Sequence, residues 1–310
     1  MINHGGPAVA LVGTTASGKS AIAHQLGLEH PDLTILCVDA MTVYRGMDIG
    51  TAKPTRAERE AVRYELVDLV EPSEEFTLHE YQHAARASAH DAWQRGDAVL
   101  YVGGTGLYGR AVLDNFDIPR QYPGVRTTLE QRTDDLASLY EQLRVLDPVA
   151  ASRMEPTNER RILRALEVTL GSGRPFSSYG PGLRTYGPVR VVQVGLRVAF
   201  DELDERIDRR FREWMKGGLL EEVRALASRA GGLSRTARQA VGYRELLRHV
   251  EHDENLEECV RDAITQSRRL ARRQRSWFSR DPRIEWFDDP APAAARLVEV
   301  LNSPDGFVRD

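Results

Sequence analysis

The sequence predicts an α/β protein, a parallel sheet flanked by helices and interrupted by a small all-helical insertion. Three observations carry that reading. The first third alternates short apolar runs with helical patterns, the signature of βαβ units and a parallel sheet. A glycine-rich octapeptide, GTTASGKS from Gly13 to Ser20, stands between the first apolar run and the first helical one. From about Pro119 the chain reads as helix throughout, and strand character returns only at VRVVQVGLRV, Val189 to Val198.

The elements follow in order. AVALVG (Ala8 to Gly13) is a buried strand, and the glycine loop hands over to a helix near Lys19 to Leu26. LTILCVD is a second buried strand ending at Asp39. In TLHEYQHAARASAHDAWQRG, Thr77 and Glu80 have capping-box spacing, and Gly96 stands where a helix stops. AVLYVGGTG supplies another strand and a second glycine-rich turn. After the helical block come long helices from Asp201 to about Arg280, RIEWF as a last short strand, and a terminal helix. The expected organisation is a core of residues 1–118 and 187–310 with a helical insertion at 119–186.

Composition narrows the class. The 310 residues are 41% hydrophobic and 28% charged, which describes an ordinary soluble globular protein. The longest apolar stretches have strand length, so no membrane span is expected. MINHGGPAVALVG lacks a basic n-region and does not read as a signal peptide. Cys37 and Cys259 are the only cysteines and lack metal-type spacing, so a reducing, cytoplasmic setting is expected. The net charge of −4 does not advertise a nucleic-acid binder, which makes charge placement the better guide.

Strand, Gly13-x4-Gly18-Lys19-Ser20 and helix are in register, the context that confirms a P-loop and makes the core NTPase-like. Glycines let successive N–H groups of Gly13, Thr14, Thr15, Ala16, Ser17 and Gly18 converge on phosphate oxygens, and the helix N-terminus adds a favourable dipole. Lys19 brings a point charge, and the Ser20 hydroxyl suits Mg²⁺. A nucleotide-hydrolysing P-loop usually has a companion strand ending in Asp. AVLYVGGTG ends without a carboxylate, and Asp39 is the acid at a strand end. Carboxyl ends of parallel strands face the ligand crevice, so Asp39 is expected near the loop.

Basic clusters are uneven. RRLARRQRSWFSR, Arg268 to Arg280, holds six arginines and no acid, and it reads as a phosphate track. RRILR, with Arg160, Arg161 and Arg164, is a second cluster within the insertion.

Five further segments follow the P-loop in order: VDAMTVYRGMDIGTAKPT (38–55), VGGTGLY (102–108), NERRILRALEV (158–168), RQAVGYREL (238–246) and RRLARRQRSWF (268–278). Together they resemble the bacterial tRNA dimethylallyltransferases, also called tRNA isopentenyltransferases, over nearly the whole chain. The resemblance implies a P-loop that holds dimethylallyl diphosphate with Mg²⁺, and transfer of the five-carbon group to N6 of adenosine 37 beside the anticodon. It implies Asp39 as the base on that amine, Thr105 as a positioning group, and Arg210 on the diphosphate. It also implies tRNA contacts at Asp39, Ala40, Met41, Thr42, Thr105, Arg126, Gln239, Gly242, Tyr243 and Arg244, and the two basic clusters add expected contacts at Arg160, Arg161, Arg164, Arg272, Arg273, Gln274, Arg275 and Trp277. The partner would be a tRNA anticodon stem-loop, gripped by core and insertion, and the protein is expected to be a monomer.

The chain departs from the commonest family form at Ala40 and Thr42, where Ser and Gln are usual, and at Tyr64 and Glu65. Two other readings compete on the P-loop alone. A small-molecule kinase would want the strand-end Asp and has no use for the arginine track. A nucleotide-switched RNA-binding module would want a guanine-reading N-K-x-D. An adenylate prenyltransferase would not need the long insertion.

Overall fold

A computed structural model describes residues 6–132 and 135–303. Six strands form one sheet: β1 (Ala8–Gly13), β2 (Leu33–Val38), β3 (Arg63–Glu65), β4 (Ala98–Gly103), β5 (Val192–Leu196) and β6 (Ile284–Phe287). Their order is β3-β2-β4-β1-β5-β6, and every pairing is parallel. β1 is central, registered through Leu11 to Val102 of β4 and to Val194 of β5. Residues alternate between the faces of a strand, and both faces of β1 are buried. Ala8, Ala10 and Val12 enter one core, and Val9 and Leu11 enter the other.

The core with Val9 and Leu11 is closed by α1 (Lys19–Glu29) and α13 (Pro290–Asn302), through Ile22, Ala23, Leu26, Ala293, Leu297 and Val300. The opposite core is closed by α3 (Leu78–Gln94), α4 (Gly106–Leu113), α9 (Phe200–Lys216), α10 (Leu219–Ala227), α11 (Tyr243–His252) and α12 (Leu256–Phe278). On α9 the buried Leu203, Ile207 and Phe211 fall four residues apart, so a helix dense in charge still buries one stripe. α3 starts in the reciprocal bonds its sequence announces: Thr77 Oγ1 accepts from Glu80 N–H at 3.2 Å, and Glu80 returns a bond to Thr77 N–H at 2.7 Å. Gly96, at φ +85°, ends it.

Two short elements escape the sequence reading, β3 and α2 (Arg56–Ala61). A three-residue edge strand is too brief to display alternation.

The chain divides into two compact units, residues 1–114 with 188–310, and residues 115–187. The second carries α5 (Pro123–Glu130), α6 (Leu136–Leu146), α7 (Pro148–Ala151) and α8 (Glu159–Ser172) around its own core of Leu129, Leu139, Leu143, Ile162, Leu163 and Leu166. Buried carboxylates complete it. Asp147 accepts from Ala150 and Ser177 N–H groups, and Glu167 accepts from Tyr122 N–H and Arg164.

Candidate active site

β1 delivers the chain into the phosphate loop, which turns on three positive-φ residues: Gly13 (+153°), Ala16 (+60°) and Gly18 (+99°). At Gly13 a Cβ would lie 2.7 Å from the carbonyl of Leu196, so β5 leaves room for glycine alone. Lys19 opens α1 and is buried. Its ammonium donates to Thr14 O at 2.6 Å and to Ser17 Oγ at 3.3 Å. Burial lowers its pKa to about 7; the Arg210 guanidinium pushes the same way, and Asp39 opposes both.

Arg210 reaches the loop from α9. Its guanidinium donates to Thr15 Oγ1 at 2.6 Å and lies 4.6 Å from the centre of the Trp214 ring. Burial lowers its pKa to about 10. From α12, Gln274 Oε1 accepts the Thr15 N–H at 2.7 Å. Neither Lys19 nor Arg210 has an ion-pair partner among the described residues, and both Arg210 Nε and Thr14 Oγ1 are buried without a hydrogen-bond partner. Two desolvated cations beside orphaned polar atoms are costly in isolation. An anion of phosphate type lifts that cost, so these residues fit one.

The acid stands two strands over, with β4 between. β2 ends at Val38, paired with Gly103 of β4, and a Cβ on Gly103 would strike the Val38 carbonyl. The close approach draws Thr105, just before α4, onto Asp39. Thr105 Oγ1 donates to Asp39 Oδ2 at 3.2 Å, and Met41 N–H donates to Oδ1 at 2.8 Å. Each carboxylate oxygen thus accepts one bond, and each keeps a second lone pair. Asp39 is only partly buried, so those lone pairs are open to an incoming group. β4, the neighbour of β1, ends in Gly103, Gly104 and Thr105 with no carboxylate.

The residues expected to touch RNA divide by environment. Arg160, Arg161, Gln239 and Arg273 are exposed. Arg126 pairs with Glu130 at 2.7 Å. Arg164 pairs with buried Glu167 and donates to Pro119 O. Ala40 and Met41 are partly buried, and Thr42 is buried with its hydroxyl unpartnered among the described residues. Gly242 is buried at φ +96°, and Arg244 pairs with Glu245. The Tyr243 side chain does not face solvent. Its ring is 1% exposed and its hydroxyl donates to Glu222.

The α12 arginines are equally mixed. Arg272 pairs with Asp204 of α9 at 2.8 Å, and Arg275 donates to Val198 O at 2.6 Å and stacks over Phe200. The acid-free run therefore finds its acid on another helix, a pairing no local count could show. Arg272, Arg273, Ser276, Trp277 and Arg280 line a shallow dish of about 420 Å³. Trp277 also packs closely over Gly106, beside Thr105.

Sequence reasoning missed Lys53. Its ammonium is buried and donates to Tyr44 O, Asp48 Oδ1 and Asp68 Oδ1 at 2.6 to 2.7 Å, which pins the segment that follows Asp39. A single lysine in a polar stretch carries no signal of this. No helix among the described residues is long and apolar enough to cross a membrane.

Sheet order, phosphate loop and the desolvated cations around it define an α/β protein of the P-loop NTPase-like class, adapted to an anionic ligand beside a carboxylate. The family model described as IPP transferase matches residues 42–281. A tRNA dimethylallyltransferase of Salinispora arenicola is 45% identical, with 91% of this chain and 82% of that protein covered. One from Bifidobacterium animalis subsp. lactis is 42% identical over 97% of this chain and 88% of its own length. The crystal structure of the full-length tRNA isopentenylpyrophosphate transferase from Bacillus halodurans superposes with a TM-score of 0.67 at 33% identity, covering 96% of this chain and 94% of that one. The chain belongs to the IPP transferase family, the enzymes named tRNA dimethylallyltransferases.

Proposed function

We propose that this enzyme transfers the dimethylallyl group of dimethylallyl diphosphate to N6 of adenosine 37 in tRNA and releases diphosphate. One observation carries the detail: a carboxylate held by Thr105 and a loop held by Lys19, Arg210 and Gln274 stand at the carboxyl ends of β2 and β1, with β4 between them. Membership in the family supports the reaction class.

Adenine N6 is a weak nucleophile because its lone pair is delocalised into the ring. Asp39 accepts the N6 proton as the C1–N6 bond forms, and Thr105 and the Met41 N–H hold the carboxylate plane for it. C1 leaves its diphosphate oxygen, and the bonding pair stays with the diphosphate. Lys19 and Arg210 stabilise that growing charge from a desolvated position, where fixed cations act most strongly.

For Mg²⁺ the donor set is hard and sparse. The described residues contain no group of three or more His, Cys, Asp or Glu side chains able to hold a metal. The Ser20 hydroxyl, exposed at the first turn of α1, would be its protein ligand, with phosphate oxygens and water completing the shell. Bound there, the ion supplies further charge neutralisation of the leaving diphosphate.

RNA must present its base splayed out of the loop to reach Asp39. Arg273 on α12 and Arg280 just past its end offer exposed guanidinium groups for its phosphates. The test is direct: incubate the protein with dimethylallyl diphosphate and an anticodon stem-loop, and seek the added five-carbon mass. Consumption of ATP as phosphoryl donor, with the RNA unmodified, would overturn the proposal.

A further inference from the structure

Three consecutive backbone N–H groups converge at the turn Asp48–Ile49–Gly50. The first two donate to Glu222 Oε2 at 3.0 and 2.9 Å, and the third donates to the hydroxyl oxygen of Tyr243 at 3.2 Å. The circuit is closed by Tyr243 Oη, which donates to Glu222 Oε1 at 2.5 Å. Glu222 lies on α10 and Tyr243 opens α11, so two helices far along the chain hold one turn of the segment that begins at Asp39.

We infer that Glu222 and Tyr243 are positioning residues, which clamp the Asp48–Gly50 turn and so hold the Asp39 segment against the loop that leads into α11. The inference rests on the reading of Asp39 as the base. Its physical content is rigidity. A carboxylate accepting successive backbone N–H groups makes charge-assisted bonds in a nest-like turn. Gly50 lets the tyrosine ring lie flush on the backbone, since a Cβ there would come within 2.5 Å of it. Burial and the neighbouring Glu222 raise the Tyr243 pKa far above the phenol's usual value, which keeps its hydroxyl a donor. On the other side of the turn, Lys53 ties Asp48 Oδ1 to Tyr44 O, so both flanks are anchored.

The clamp also joins two segments of separate origin. Tyr243 directly follows Gly242, whose positive φ ends the loop at Ala237–Gly242. That loop and the Asp39 segment both stand in stretches whose sequence resembles tRNA-contacting motifs. The Tyr243 hydroxyl links them, accepting from Gly50 and donating to Glu222.

The variants Tyr243→Phe, Glu222→Ala and Glu222→Gln separate positioning from mere folding. Three readouts apply: single-turnover prenylation of a stem-loop, dimethylallyl diphosphate affinity, and amide exchange at Asp48, Ile49 and Gly50. Tyr243→Phe should free the Gly50 amide and Glu222→Ala those of Asp48 and Ile49, and each should slow turnover about tenfold or more, with diphosphate affinity within about twofold of wild type. Glu222→Gln should restore part of the rate relative to Glu222→Ala, because its carboxamide oxygen still accepts from both N–H groups while its NH2 takes away the acceptor of the Tyr243 hydroxyl. Wild-type rates in Tyr243→Phe and Glu222→Ala would overturn the inference, as would parallel losses in both substrates tracking a lowered Tm. Absence of prenyl transfer by the wild-type protein would instead overturn the functional reading.

Discussion

Thr105 donates its hydroxyl to Oδ2 of Asp39 at 3.2 Å, a single hydrogen bond that ties the end of β4 to the end of β2. β4 lies between β2 and β1, so the strand that leads to Thr105 stands between the carboxylate and the phosphate loop, which follow strands two positions apart in the sheet. The positions of the Asp39 carboxylate and the phosphate loop are therefore both set by the sheet.

Asp39→Ala removes the base and leaves the loop, its lysine and its arginine in place. Turnover should fall about 10²- to 10⁴-fold with diphosphate binding nearly unchanged. Single-turnover rates with a stem-loop decide it, and a wild-type rate would exclude Asp39 from proton transfer.

Arg210 is not exchangeable for lysine. Lysine lacks the planar fork with which the guanidinium both donates to Thr15 and lies over Trp214. Arg210→Ala should lower kcat by roughly 10²- to 10³-fold, the usual loss when one preorganised charge on a developing anion is removed. Arg210→Lys should recover only part of this. Full recovery in steady-state kinetics would count against a fork-specific role.

Lys19 makes anion binding pH-dependent. Its pKa in the ligand-free fold is about 7, below the ordinary 10.5, mainly because it is desolvated. Between these values the unfolded chain holds more protons than the folded one, so stability should rise with pH from about 7 to about 10.5. A bound diphosphate favours the ammonium, so binding above pH 7 takes up a proton and its affinity should decline as pH rises. Calorimetry of pyrophosphate binding at pH 8, in buffers of different ionisation enthalpy, reads that uptake. Zero uptake would place the ammonium as fully charged before binding.

The α12 arginines should separate by their partners. Arg273 is exposed and makes no ion pair among the described residues, so Arg273→Ala should weaken stem-loop binding and reduce the salt slope by up to about 0.7–0.9. Arg275 holds Val198 O and covers Phe200, so Arg275→Ala should chiefly lower Tm. Binding titrations across salt concentrations, beside thermal melts, distinguish the two. Equal slopes for wild type and Arg273→Ala would remove that residue from the phosphate track.

Much was legible because it is local. GTTASGKS between a strand and a helix determines where a phosphate loop forms, since turn, dipole and convergent N–H groups all arise within eight residues. The short continuous apolar run AVALVG and the capping-box spacing at Thr77 and Glu80 are equally local, and both elements form at those positions. β3 escaped for the converse reason. It exists only because Leu36 and its neighbours on β2 offer an edge to pair with.

By itself the sequence determined which chemistry is available: a phosphate loop, a strand-end acid and an excess of arginine. Only the tertiary structure decided which of those groups are used and how. It turned Arg210 onto the loop while the adjacent Arg209 stayed in solvent, and it gave Arg272 an acid from α9. It also drew Tyr243 inside to close a circuit with Glu222. Hydrogen-bond partners are chosen by distances of a few ångströms between residues tens to hundreds apart in the chain, and periodicity and composition do not encode those distances.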